Sequence, residues 1–169
     1  MKNSKAVKTA LIISGALTVI ICGVMNFYLI PLIESTTQGI RMFDMNSFGY
    51  TYETAKSFVS LLSENGLRTY LNVQLPLDFI YPLAYTVFFS LALLKLTDKK
   101  ALLAFPLVLM VCDYTENIFS EIMLRKDFSA VTAHIASAFT VCKSVFMYIT
   151  MALVLIFFVR WLIKRKKAA

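Results

Sequence analysis

Histidine is almost absent from this chain: His134 is the only one in 169 residues. Zinc sites draw heavily on histidine and cysteine, so this scarcity argues against one. Cysteine is scarce too. Cys22, Cys112 and Cys142 are the only three, no CxxC pair occurs, and each falls inside an apolar run. They read as small packing residues, not as a disulfide framework or a thiol redox site. Acidic residues number ten against seventeen basic ones. The GxSxG, HExxH, phosphate-loop and dinucleotide-loop patterns of soluble enzymes are missing. Neither a cofactor nor a metal is expected.

Apolar residues are abundant. They make up 59% of the chain, and the mean hydropathy is +0.71, far above a soluble norm. Four apolar stretches are long enough to cross a hydrocarbon core of about 30 Å. They run over about 10–33, 77–96, 101–122 and 133–163. The expected fold is therefore all-α: a four-helix transmembrane bundle, one integral membrane domain over 1–169, with a long loop over 34–76. The first apolar run lacks a small-x-small cleavage site and reads as a retained signal anchor.

The net charge of +7 is segregated by loop. Lys2, Lys5 and Lys8 precede the first span, Lys95, Lys99 and Lys100 separate the second and third, and Arg160, Lys164, Arg165, Lys166 and Lys167 follow the fourth. With four spans these segments share one side, which the positive-inside rule makes cytoplasmic. Both termini are then inside. The long loop and the short loop near Arg125, Lys126 and Asp127 are outside. The expected location is a bacterial plasma membrane. Attraction to anionic lipid headgroups accounts for the basic tail without nucleic acid.

In the first span Ser14, Thr18, Cys22 and Asn26 recur every fourth residue, a weakly polar stripe bordered by Gly15 and Gly23. Such a face suits close helix packing and hydrogen bonds between helices. The outer loop is too long for a bare connector. Thr51 is placed to cap a helix, Glu53 lies in its first turn, and Ala55, Phe58, Val59 and Leu62 recur at helical spacing. Asn65-Gly66 reads as its stop. A second short helix is expected over Leu67 to Leu75, before Pro76. The amphipathic helix either lies on the bilayer or caps the bundle.

The chemistry-bearing residues lie toward the outer ends of the spans. Asp78, Tyr81 and Tyr85 share a face at the start of the second span, and Pro82 frees the carbonyl of Asp78. In the third span, which Pro106 is expected to kink early, Asp113, Glu116, Asn117 and Ser120 occupy one face of roughly 100°. Lys143 lies near the middle of the fourth span, too deep to reach either surface easily. Charged groups at this depth cost roughly 2.5–3.5 kcal/mol on insertion scales, so each needs a partner or a use. Lys143 is the expected partner of the third-span acids, whereas His134 faces about the opposite way and reads as interfacial. The candidate binding residues are Asp78, Tyr81, Tyr85, Asp113, Glu116, Asn117 and Lys143, with Arg68 and Tyr70 reaching in from the loop. Three acids against one base leave a charge to be met by a proton, a cation or Arg68.

Three functional readings follow. The residues form a pocket for a small hydrophobic or cationic molecule or a lipid, with acid/base potential. Alternatively, they lock helix packing, within this chain or in an oligomer or larger complex. As a third reading, the acids relay protons or cations, although four spans without an internal repeat make a poor independent transporter.

Gly49-Tyr50-Thr51, Leu61-Leu62, Gly66-Leu67-Arg68-x-Tyr70, Leu77-Asp78-x-x-Tyr81-Pro82-x-x-Tyr85 and Asp113-x-x-Glu116-Asn117 together resemble a group of small four-span bacterial membrane proteins of uncharacterised activity. The resemblance covers Gly49 to Glu121. It implies a four-helix membrane fold and supplies no activity. By architecture alone the chain is also faintly similar to the sterol-isomerase and sigma-2-receptor group, from which no site residue is carried over.

Overall fold

Four long helices account for most of the chain in a computed structural model, which describes residues 4–125 and 128–167. They are α1 (Lys5–Glu34), α3 (Glu64–Leu96), α4 (Lys100–Arg125) and α5 (Ala130–Lys167), each long and apolar enough to cross a membrane. A shorter helix, α2 (Tyr52–Leu61), lies in the loop between α1 and α3. No strand occurs among the described residues. The expected all-α four-helix bundle with a helix in the first loop is the observed fold. Lys2, Lys126 and Asp127 lie outside the described residues.

Helix α3 is the hub. It packs on α1, α4 and α5, and α4 packs along α5. No substantial packing joins α1 to α5, so a seam separates these two with α3 as its floor.

Three helix boundaries differ from expectation. The loop helix before Pro76 is not separate. Glu64–Thr69 continues through a π-turn at Tyr70–Gln74 directly into the span. A matching π-turn, Met25–Leu29, precedes Pro31 in α1. In both cases the proline falls two residues beyond the turn, where its ring would meet the carbonyl four residues back; the wider π-turn moves that carbonyl aside. Asn65-Gly66 is not a stop either. Helix α2 ends at Leu61 because Ser63 caps the next helix, its Oγ accepting from Gly66 N at 3.0 Å. Pro106 falls in the first α-helical turn after the 3-10 turn Lys100–Leu103, where a missing N–H is tolerated.

The polar stripe of α1 also behaves differently from the expectation. Ser14 is buried, but its hydroxyl and that of Thr18 bond back to Leu11 O and Ser14 O within α1. Asn26 is exposed and donates to Cys22 O. Apolar Ile21, Met25 and Leu29 make the buried contact instead. The π-turn advances the helix phase, and backbone carbonyls within reach satisfy the hydroxyls first. Gly15 does serve close packing, since a Cβ there would lie 3.0 Å from the Phe88 ring.

Helix α2 caps the bundle. Thr51 Oγ1 accepts from Thr54 N at 3.2 Å, and Ala55 and Phe58 insert into a core with Phe43, Tyr70, Ile33 and Met123. Ser137 on α5 pins the segment before it, accepting from Tyr50 N and donating to Tyr50 O, each at 2.8 Å. Gly49 has φ +85°, and a Cβ there would fall 2.8 Å from Ser137 Oγ. Glycine is therefore required for both backbone conformation and approach.

Candidate functional site

Under this cap the polar residues of three spans converge. Tyr85 is fully buried and donates from its hydroxyl to Asp113 Oδ2 at 2.8 Å. Lys143 Nζ approaches Asp113 Oδ1 at 3.4 Å and pairs with Glu116 Oε2. Thr140, one turn before Lys143, donates to Glu116 Oε1 at 2.9 Å. Asn117 Nδ2 donates to the Asp78 carbonyl at 2.8 Å. That carbonyl is the one Pro82, four residues on, cannot engage, so the proline creates an acceptor and the neighbouring helix supplies its donor.

Seven of the nine sequence-selected residues lie in or around this cluster. Asp78, Tyr81, Asp113 and Lys143 line one cavity of about 170 Å³, and Tyr85, Glu116 and Asn117 stand behind its wall. Tyr70 is buried but points into the aromatic core of the cap, 6.2 Å from Phe43 and 6.3 Å from Phe58 between ring centres. Arg68 does not close the site. It is exposed on the outside of the cap and pairs with Glu64 one turn away, because the α3 face that buries Gly66 and Tyr70 turns it outward. Glu121 likewise pairs with Arg125 at the surface, and His134 is exposed. Cys112 and Cys142 are free thiols that meet across α4 and α5, Sγ to Sγ 3.1 Å.

Sequence reasoning missed two members. Asp44 sits in a 3-10 turn, Phe43–Met45, that dips into the mouth of the bundle. Its Oδ1 is closed off from solvent without a hydrogen-bond partner among the described residues, and Asp44 lines the cavity. Burial raises its carboxyl pKa above the ordinary value; nearby Asp113 and Glu34 push the same way, and Lys143 opposes them. Gln74, fully buried in the π-turn, donates from Nε2 to Asp78 Oδ2 at 3.1 Å while its Oε1 has no partner. The signal for Asp44 was one acid within the apolar run Met42-Phe43-Asp44-Met45. Nothing in the sequence marks Gln74, because only the π-turn aims it inward.

With Asp44, four carboxyls face one ammonium, and the cluster has two halves. The α4 carboxyls are bonded across helices by Tyr85, Thr140 and Lys143. The half nearer the cap, Asp44 and Gln74, holds two acceptors without a partner among the described residues; the Tyr50 hydroxyl is also buried without one, and Glu116 Oε2 meets only the Lys143 ammonium. The cavity between the halves opens sideways at the α1–α5 seam, where Asn26 and Tyr148 at its rim are exposed. No group of His, Cys, Asp and Glu among the described residues has the arrangement of a metal site.

No family model, curated protein or solved structure matches this chain. The fold and the spans define an integral membrane protein of the all-α, four-span class.

Proposed function

We propose that this protein binds the cationic head of a small molecule or lipid in the acidic cavity. One observation carries the reading: Asp44 Oδ1, a buried acceptor without a partner, lines a cavity that also touches Asp78 and Asp113. A buried acceptor left unmet costs about 1–3 kcal/mol, and more when charged. An ammonium with N–H donors meets both the missing hydrogen bonds and the missing positive charge. The volume sets the scale. Whole drug-sized ligands occupy about 300–1,000 Å³, so 170 Å³ takes a head group and leaves the rest of the molecule outside.

The α4 half favours a second, compatible role. Its cross-helix bonds to Glu116 and Asp113 are those of a packing lock. The experiment that separates the two compares butylamine, butanol and butyrate in thermal unfolding of the purified protein. Binding predicts stabilisation by butylamine alone, about 2.7 kcal/mol at a hundredfold excess over Kd, and its loss in Asp44→Asn with the fold intact. Equal effects of butanol and butylamine, or none of either, refute binding and leave the lock.

A further inference from the structure

The cavity is not the only cleft between α1 and α5. A second cleft, of about 290 Å³, lies farther along the same seam and is lined by Leu11, Phe88, Ala92, Val154, Phe158 and Trp161, and on α3 also by Lys95 and Leu96. Its walls are again α1 and α5, and its floor is again α3. The spacing aligns the two clefts along one seam. On α3 the floor runs Asp78, Tyr81, Phe88 and Ala92, which recur on one helix face. On α5 the wall runs from Met147 at the polar end to Trp161 at the apolar end, and on α1 from Met25 to Leu11. Each wall spans fourteen residue steps, which at about 1.5 Å per step is roughly 21 Å. The helices are antiparallel, so the two walls match in length and direction. The polar end carries the unpartnered acceptor and the carboxyls; the far end offers aromatic and aliphatic side chains, with Lys95 as its one charged group.

We infer that the seam between α1 and α5 holds a single-chain amphiphile, with a protonated amine at Asp44 and Asp78 and a long alkyl chain reaching Trp161. The inference rests on the cavity being a cation site and adds the chain, its length and its path. A span of about 21 Å exceeds the roughly 15 Å depth of one leaflet, half the hydrocarbon core. A short chain leaves the apolar cleft to bulk lipid, whereas a long one fills it. The amine is not quaternary, because the empty acceptor at Asp44 requires an N–H donor, which a quaternary ammonium lacks.

Trp161 is the only tryptophan in the chain, so its emission reports on this cleft directly. The test uses the full-length protein in detergent with hexadecylamine brominated at the chain end, since bromine quenches indole at short range. Hexadecylamine brominated beside the head, octylamine brominated at its end, and end-brominated hexadecanol at equal micellar fraction serve as comparisons. The expected result is a saturable loss of Trp161 emission with the end-brominated long amine alone. That loss disappears in Asp44→Asn. It also disappears in Ala92→Leu, which fills the cleft and leaves butylamine stabilisation unchanged. Equal quenching by the alcohol, by the head-brominated amine or in both variants overturns the seam. If butylamine still stabilises while Trp161 does not respond, the chain path is wrong and the cation site stands. If neither responds, both fall.

Discussion

Replacing Lys143 with methionine removes the one ammonium from the cluster and keeps most of the side-chain volume. Lys143 Nζ lies 3.4 Å from Asp113 Oδ1 and also pairs with Glu116, whose side chain is fully buried. At an effective dielectric near 20, the attraction to Asp113 alone is about 5 kcal/mol before desolvation is subtracted. The net cost of stripping one partner from a buried pair is about 3–5 kcal/mol, because the remaining charge is stranded. The second half of the experiment is the rescue. Glu116→Gln retains an oxygen to accept from Thr140 and loses the charge, so Lys143→Met with Glu116→Gln is expected to recover about half or more of the loss. Reversible unfolding in mixed micelles, followed by the far-ultraviolet helical signal, measures all three variants. A cost below about 1 kcal/mol for Lys143→Met, or no recovery in the double variant, refutes the buried pair as a source of stability.

Three further outcomes follow from the geometry. Asp44 has a folded-state pKa raised by burial above the unfolded value of 3.8. Its contribution is therefore fully present below that pH and is lost as pH rises through the folded value; Asp44→Asn flattens this decline, so the melting-temperature difference between variant and native protein grows with pH. Asn117→Leu leaves the Asp78 carbonyl without its donor and costs about 1–3 kcal/mol. The cost shrinks in a Pro82→Ala background, where the backbone N–H at position 82 returns, and a double-mutant cycle by chemical unfolding reads the coupling. Gly49→Ala forces a side chain into a positive-φ position against Ser137, costs more than about 1 kcal/mol, and speeds amide exchange in the segment from Met42 to Thr51 ahead of the spans.

The spans were legible because membrane crossing imposes length and apolarity on one contiguous stretch, a constraint a sequence displays directly. The α3–α4–α5 half of the site was legible for a related reason. Asp78, Asp113, Glu116 and Lys143 stand out as charges in apolar runs, and helical periodicity places each on a face. The freed carbonyl of Asp78 could be read from Pro82 alone; its donor, Asn117, required the tertiary fold. Arg68 was misplaced because charge balance suggested a cation, whereas the continuous helix from Glu64 fixes its direction. That continuity depends on a π-turn, for which the sequence offers no clear mark beyond a following proline. The same turn hides Gln74. Asp44 was missed because loop residues have no period from which to infer a face, and only Ser137, Gly49 and the Phe43 core fix where that turn docks.

The two halves of the cluster assign stability and recognition to different residues. Glu116 is fully buried and bonded to both Thr140 and Lys143, so altering it disturbs packing whatever else the protein does. Asp44 contributes an acceptor that nothing among the described residues engages, so the folded state loses little when it is neutralised and gains at higher pH. A pure packing lock has no reason to retain such a group, because replacement by asparagine would relieve the burial penalty. Stability costs at Glu116 and Lys143, together with stability gains but binding loss at Asp44, would therefore identify a site held open against its own folding preference. Losses of stability at all three positions would place the whole cluster in the lock and remove the physical case for a ligand.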